Sequence, residues 1–221
     1  MIPKERKLLR QTAADLGVHL VEAHLDAFGI YLDELCLWNR RMNLTGLRSR
    51  ERMAVELLAD SLVPVPLLPD TGTMLDVGSG AGLPGIPIKI LKPGLCIHLL
   101  EPSEKKQAFL RQVIRILGLK GLQSFRGRAE DSSSEMFFEG YDVVTARAVA
   151  GLREAVTLCA RHVLPGGIFV GFSGQHREAA LSDASESLRE AGLELDASLS
   201  YRLPGTKGKR HTLLFRRLPT S

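Results

Sequence analysis

Thr73-Met74-Leu75-Asp76-Val77-Gly78-Ser79-Gly80-Ala81-Gly82-Leu83-Pro84-Gly85 is the stretch on which the fold turns. Thr73 to Val77 form a short apolar run with one carboxylate, Asp76, near its end, and a cluster of glycines follows. This is the pattern of a strand running into a glycine-rich turn. Glycine serves where φ must be positive, or where a ligand approaches the backbone without meeting a Cβ. Gly78, Gly80 and Gly82 therefore read as a bed for a bound nucleotide.

Two nucleotide classes compete for that bed. Gly80-x-Gly82-x-x-Gly85 satisfies the dinucleotide fingerprint. A pyrophosphate, however, is held by free N–H groups in the first turn of the following helix, and Pro84 and Pro87 have none. Asp76, two residues before the first glycine, repels a pyrophosphate and suits a ligand carrying an ammonium and a sulfonium. S-adenosylmethionine is such a ligand. The stretch resembles motif I of the class I methyltransferases, Asp/Glu-x-Gly-x-Gly-x-Gly. That resemblance implies an α/β fold with a mostly parallel seven-stranded sheet and helices on both faces. A dinucleotide site is the alternative.

The composition is that of an ordinary globular protein. With 221 residues the chain can form one large domain, or a domain with an extension, around a substantial core. Cys36, Cys96 and Cys159 are scattered singly, which argues against a disulfide framework or a zinc site, and no metal is expected. No apolar run approaches the ~20 residues that span a bilayer, and the N-terminus leads into no signal-type segment. A cytoplasmic protein is expected. The net charge of +4 is modest, so the placement of charge is more informative than its sum.

Residues 4 to 60 are helical in character. Leu8, Leu9, Leu16, Leu20, Leu25, Phe28, Leu32 and Leu35 recur at mostly helical spacings and predict two helices broken near Gly17. Asn43, Thr45 and Gly46 mark a helix end and turn, and a third helix is expected from Arg50 to Leu62. Pro64, Pro66 and Pro69 then stop further helix. Residues 1–64 thus form a helical extension, and 65–221 the nucleotide-binding domain. After the glycine-rich turn the spacing predicts helix 85–91, strand 96–100, helix 103–117, strand 122–125 and strand 141–146. Helix 152–163, a Leu-Pro-Gly-Gly turn, strand 168–172, helix 177–191 and two strands, 195–199 and 212–216, complete the order. Repeated βα units place a ligand at the carboxyl ends of the strands. Glu101, 23 positions beyond Gly78 at the tip of the second strand, is placed to accept hydrogen bonds from both hydroxyls of a ribose.

Four segments carry a narrower resemblance: Trp38-Asn39-Arg40-Arg41-Met42-Asn43-Leu44-Thr45, Leu75 to Pro87, Ala146-Arg147-Ala148, and Arg210-His211. Together they resemble the bacterial small-subunit ribosomal RNA guanine-N7 methyltransferase family, also called the glucose-inhibited division protein B family. The resemblance implies that Asp76, Gly78, Gly80 and Leu83 border the methionine and sulfonium of S-adenosylmethionine. It likewise implies Glu101 at the ribose, Ala129 and Glu130 at the adenine, and Arg147 at the mouth where guanine enters. Two departures from the family pattern stand out. Glu101-Pro102-Ser103-Glu104-Lys105 replaces the common Asp-Ser-x-x-Lys, and Ser173-Gly174 replaces Lys-Gly.

The residues agree with a nucleophile that needs no activation. No cysteine sits in a Pro-Cys loop for covalent attack on a pyrimidine. The place of the Asn/Asp-Pro-Pro-aromatic loop that handles exocyclic amines holds Ala-Arg-Ala-Val. Purine N7 has an in-plane lone pair and requires alignment rather than deprotonation. Charge points to the substrate class. Residues 201–221 carry six Lys or Arg and no acid, residues 103–128 carry seven against Glu104, and residues 38–52 carry five against Glu51. Such clusters suit an RNA backbone, with Arg41, Lys207, Lys209, Arg210 and His211 as candidate contacts. A monomer acting on small-subunit ribosomal RNA, bare or within a particle, is expected. A small-molecule methyltransferase and a non-enzymatic dinucleotide-binding regulator are the alternatives.

Overall fold

The seven strands are β1 (Thr71–Val77), β2 (Gly94–Leu100), β3 (Leu122–Phe125), β4 (Tyr141–Ala146), β5 (Val163–Ser173), β6 (Leu193–Tyr201) and β7 (Arg210–Arg217). They form one sheet in the order β3-β2-β1-β4-β5-β7-β6. Pairs among β1 to β5 are parallel, and β7 is antiparallel to both β5 and β6. The coordinates are a computed structural model and describe residues 1–130, 138–147, 151–174 and 176–219.

Two facing cores follow from the two-residue period of the strands. Met74, Ile97, Val143, Val170 and Leu214 point to one face, and Leu75, Val144, Phe169 and Leu213 to the other. The first face is covered by α1 (Pro3–Asp15), α2 (Glu22–Met42), α5 (Gly85–Leu91) and α6 (Glu104–Leu117). The second is covered by α7 (Leu152–Cys159) and α8 (Arg177–Glu190). Leu25, Phe28, Leu32 and Leu35 of α2 are fully buried, each contributing about 1.5–3 kcal/mol. Residues on both sides of position 64 share this first core.

The third expected helix exists with an irregular middle. α3 (Arg50–Met53) passes through a π-helical segment, Ala54–Ala59, into α4 (Asp60–Leu62), and a 3₁₀ turn at Val65–Leu67 ends it among the prolines. Ser49 caps α3 and Ser103 caps α6 through their hydroxyls. The expectation for residues 163–167 is corrected. The Leu-Pro-Gly-Gly segment lies within β5 as a bulge, since Tyr141 pairs with Val163 and Val143 with Ile168, so that two steps of β4 face five of β5. Gly166, at φ +77°, accommodates the bend. No helix among the described residues is long and apolar enough to cross a membrane.

Candidate functional site

The register sets the site at one edge of the sheet. Val77 of β1 pairs with Leu100 of β2 and Ala146 of β4, so Gly78, Glu101 and Arg147 emerge side by side at the carboxyl edge. Neighbouring strands lie roughly 4.8 Å apart. Because β7 runs antiparallel, its first residues, Arg210 and His211, reach the same edge, where His211 pairs with Ser173 of β5.

The glycines of the turn divide into two kinds. A Cβ at Gly78 would meet no atom within 4 Å, and one at Gly80 only the Gly78 carbonyl at 3.8 Å. Gly78 has φ +68° and opens onto free space. Gly82 differs from its expected place in the bed, since a Cβ there would lie 2.3 Å from Ile86 Cδ1 and 3.0 Å from Leu110 Cδ2. At Gly85 a Cβ would lie 2.3 Å from Leu99 Cδ2. Gly82 and Gly85 thus let α5 pack on α6 and the sheet, while Gly78 and Gly80 border the cradle.

Two carboxylates tie this loop down. Glu101 is buried; its Oε2 accepts the Gly80 amide at 2.9 Å and its Oε1 the Ser103 amide at 2.9 Å. A carboxylate has about four lone-pair positions, so acceptor capacity remains for hydroxyls. Asp76 is fully buried below the turn. Its Oδ2 accepts the Gly85 amide at 2.9 Å and its Oδ1 the Thr145 hydroxyl at 2.9 Å. Burial raises its pKa to about 7, against the lowering effects of the Gly85 amide, the Thr145 hydroxyl and the Arg147 charge. Asp76 thus ties the start of α5 to the end of β4.

This arrangement removes the anion site a dinucleotide requires. The Gly85 amide goes to Asp76, the Ile86 amide to the Gly82 carbonyl at 2.7 Å and the Ile88 amide to the Pro84 carbonyl at 3.1 Å, while Pro87 has no amide proton. No donor of the first turn is left for a pyrophosphate. Within the turn, the Ser79 hydroxyl is buried without a hydrogen-bond partner.

Other expected residues lie where other forces hold them. Leu83 and Ala129 are buried and Glu130 is exposed. The Ala129 carbonyl accepts from Arg161 Nη2 at 2.7 Å and is 3.1 Å from His162 Nε2. Arg147 turns onto the π-helical segment, with Nη1 donating to the Leu57 carbonyl at 3.1 Å and the Ser61 hydroxyl at 2.8 Å, and Nη2 to the Glu56 carbonyl at 3.2 Å. Its charge lies 3.6 Å from Asp60. Two of the candidate RNA contacts, Arg210 and His211, have partners within the protein. Arg210 pairs with Asp60 at 3.1 Å and Glu56 at 3.2 Å, and His211 is buried with Nδ1 2.8 Å from the Ser200 hydroxyl. Once helix 50–62 packs at the sheet edge, buried Asp60 and half-buried Glu56 are the anions Arg210 meets. Lys207, Lys209 and Arg41 are exposed.

Two interactions escaped sequence reasoning. The buried Tyr31 hydroxyl of α2 donates to the Ala81 carbonyl in the glycine-rich loop at 2.7 Å; a lone tyrosine within a leucine stripe was the available signal. Thr145 was hidden in an apolar strand. The Trp-Asn-x-x-x-Asn-Leu-Thr segment also acquires a structural account. Half-buried Trp38 donates its indole N–H to Glu34 at 3.2 Å and meets Phe109 of α6 edge-on, with ring centroids 5.9 Å apart. Asn39 accepts the Thr45 amide at 2.8 Å and donates to the Leu47 carbonyl at 3.0 Å. Asn43 ends α2 in the left-handed region, at φ 49°.

A family model described as rRNA small subunit methyltransferase G matches residues 24–204. Ribosomal RNA small subunit methyltransferase G of Acetivibrio thermocellus is 36% identical over 222 residues, covering 98% of this chain and 91% of that protein. The protein of the same name from Syntrophotalea carbinolica is 34% identical over 211 residues, covering 96% and 97%. The solved structure of M. jannaschii TYW2 in complex with AdoMet shares the fold at a TM-score of 0.58 and 12% identity, covering 71% of this chain and 73% of that one. With the open cradle at Gly78 and a first helical turn stripped of anion donors, these matches lead to one conclusion: the chain belongs to the rRNA small subunit methyltransferase G family.

Proposed function

We propose that this protein transfers the methyl group of S-adenosylmethionine to N7 of one guanine in 16S ribosomal RNA, working in the cytoplasm. Membership of the family carries the reading. Its main structural support is the cradle, in which Glu101 clasps the Gly80 amide beside the free space at Gly78. In this proposal Gly78, Gly80 and Leu83 border the methionine and sulfonium, with Asp76 as a charge beneath them. Glu101 takes the ribose hydroxyls, and Ala129 and Glu130 flank the adenine.

S-adenosylmethionine, when bound, supplies an electrophilic methyl group on a sulfonium. The N7 lone pair is available without proton removal, so the work of this chain is alignment and exclusion of water rather than general base catalysis. Arg147 holds the end of β4 against the π-helical segment and so shapes the mouth by which guanine enters. Methyl transfer from radiolabelled S-adenosylmethionine to 16S ribosomal RNA and to assembled small subunits, followed by mapping of the modified nucleotide, tests the reading. A single labelled guanine is expected; absence of label from every RNA substrate, with label in small molecules, would overturn it.

A further inference from the structure

The segment that closes α2 lines an open cavity of about 730 Å³ on the N-terminal extension, with neither Gly78 nor Glu101 in its wall. That volume falls within the roughly 300–1,000 Å³ of small-ligand pockets. Its walls have the chemistry of a nucleotide site. Leu37, 51% exposed, contributes an apolar patch to the wall. Asn43 and Thr45 add hydrogen-bonding groups at one side, and Arg40 and Arg48 stand exposed at the rim, with Arg41 next to Arg40 in sequence.

The charges in and around the cavity are unequally satisfied. Arg50 is bound by Glu5 at 3.0 Å and Asp33 at 2.6 Å, and Glu34 accepts the Trp38 indole N–H. Of the acids in the wall, Asp33 is ion-paired to Arg50 and Glu34 accepts one hydrogen bond. Arg40, Arg41 and Arg48 form no side-chain hydrogen bond or ion pair among the described residues. The rim is also rigid in advance, because both ends of the Asn39 amide hold the loop that carries Arg48. A preformed concavity with an apolar floor, amide donors and unpaired guanidinium groups matches an unpaired base and its phosphate, the usual target of sequence-selective RNA recognition.

We infer that this cavity receives one unpaired nucleotide of the substrate RNA, distinct from the guanine that is methylated, with the base over Leu37 and its phosphate at Arg40 and Arg48. The inference rests on the RNA reading under Proposed function. Position along α2 supports it. Tyr31 of the same helix touches the glycine-rich loop, and Asn39 lies eight residues further, about 12 Å at the helical rise. One continuous RNA strand spans that separation, so the cavity can hold the strand while another of its bases enters the methyl-transfer site.

The test uses the full chain, 16S ribosomal RNA and a free nucleoside monophosphate. Arg40→Ala with Arg48→Ala should leave S-adenosylmethionine affinity unchanged and weaken RNA binding. The plot of log affinity against log salt should become shallower by about 0.7 for each single-strand phosphate that the protein no longer neutralises. Leu37→Glu should weaken RNA binding through the floor. Ultraviolet crosslinking of the wild-type complex should join peptide 37–48 to a nucleotide other than the methylated guanine. Wild-type protein that methylates RNA while the double variant keeps the same affinity and salt slope overturns this inference and leaves the proposed function standing. Saturation by a free nucleoside monophosphate, with no effect of the variants on RNA binding, overturns RNA as the source of the nucleotide. Wild-type protein that methylates no RNA overturns the proposed function first, and this inference with it.

Discussion

The Tyr31 hydroxyl donates to the Ala81 carbonyl at 2.7 Å, joining the helical extension to the middle of the glycine-rich loop. Both residues are buried, and burial raises the Tyr31 pKa, so the phenol remains a donor. Tyr31→Phe leaves the Ala81 carbonyl without that partner, at a cost of about 1–3 kcal/mol. The loop loses its tie to α2, so S-adenosylmethionine affinity falls together with stability. Urea unfolding and calorimetric titration of the same variant check both effects; unchanged values would show that the extension does not position the loop.

Gly78 and Gly82 respond differently to a methyl group. At Gly78 the added Cβ has free space, so Gly78→Ala carries only the left-handed backbone cost of about 1–2 kcal/mol, while the cradle narrows and cofactor binding is lost. At Gly82, also at positive φ, the Cβ collides with Ile86 and Leu110, adding a further ~1–3 kcal/mol of overpacking. Thermal melts and binding titrations should find the first variant folded but unable to bind and the second clearly less stable. Wild-type affinity in Gly78→Ala would place the ligand elsewhere.

The raised pKa of Asp76 gives stability a definite sign with pH. Its protonated form favours the folded state fully below the unfolded carboxylate value of about 3.9. That contribution is lost as pH rises through the folded value of about 7. Stability of the wild type relative to Asp76→Asn should therefore decline from pH 4 to 7 and level off above. A cation bound above Asp76 selects the carboxylate, so S-adenosylmethionine affinity should rise with pH by up to about tenfold per unit below 7. Titrations across this range on both proteins decide the matter, and a flat wild-type profile would separate Asp76 from the bound cation.

The basic C-terminal segment divides by partner. Lys207→Ala with Lys209→Ala should spare cofactor affinity and, if both contact phosphates, flatten the salt dependence of RNA binding by about 1.4–1.8 units in log-log slope. Arg210→Ala should act on stability instead. It strips a partner from buried Asp60 and from Glu56, a loss of ~1–3 kcal/mol, between the effects of exposed and fully buried pairs. Chemical denaturation alongside RNA titrations distinguishes the two roles. A stable Arg210→Ala protein with reduced RNA affinity would restore Arg210 to the RNA-binding surface.

What could be read from the chain was local. The apolar run before Gly78, the glycines after it and the prolines at 84 and 87 declared a strand, a turn and a helix start poor in amide donors. Each of these properties belongs to a residue's own backbone. Alternating β and α periodicities placed most elements within a few residues, and the spacing of Glu101 from Gly78 placed a carboxylate at the neighbouring strand end. The bulge in β5 escaped because Leu-Pro-Gly-Gly has the composition of a free turn, and only pairing with β4 keeps it within the strand.

Side-chain partnerships were settled by the tertiary structure. Arg147 meets carbonyls 90 and 91 residues away, and Arg210 meets an aspartate 150 residues away. Sequence alone identified both as cations at the edge of a ligand cleft, and it left their partners open because Coulombic and hydrogen-bonding forces act through space. Their partners were decided when helix 50–62 settled at the carboxyl edge and brought buried Asp60 and the carbonyls of its π-helical segment within reach. The folded chain likewise leaves Arg40 and Arg48 exposed at the rim of a cavity, with no ion pair to either among the described residues.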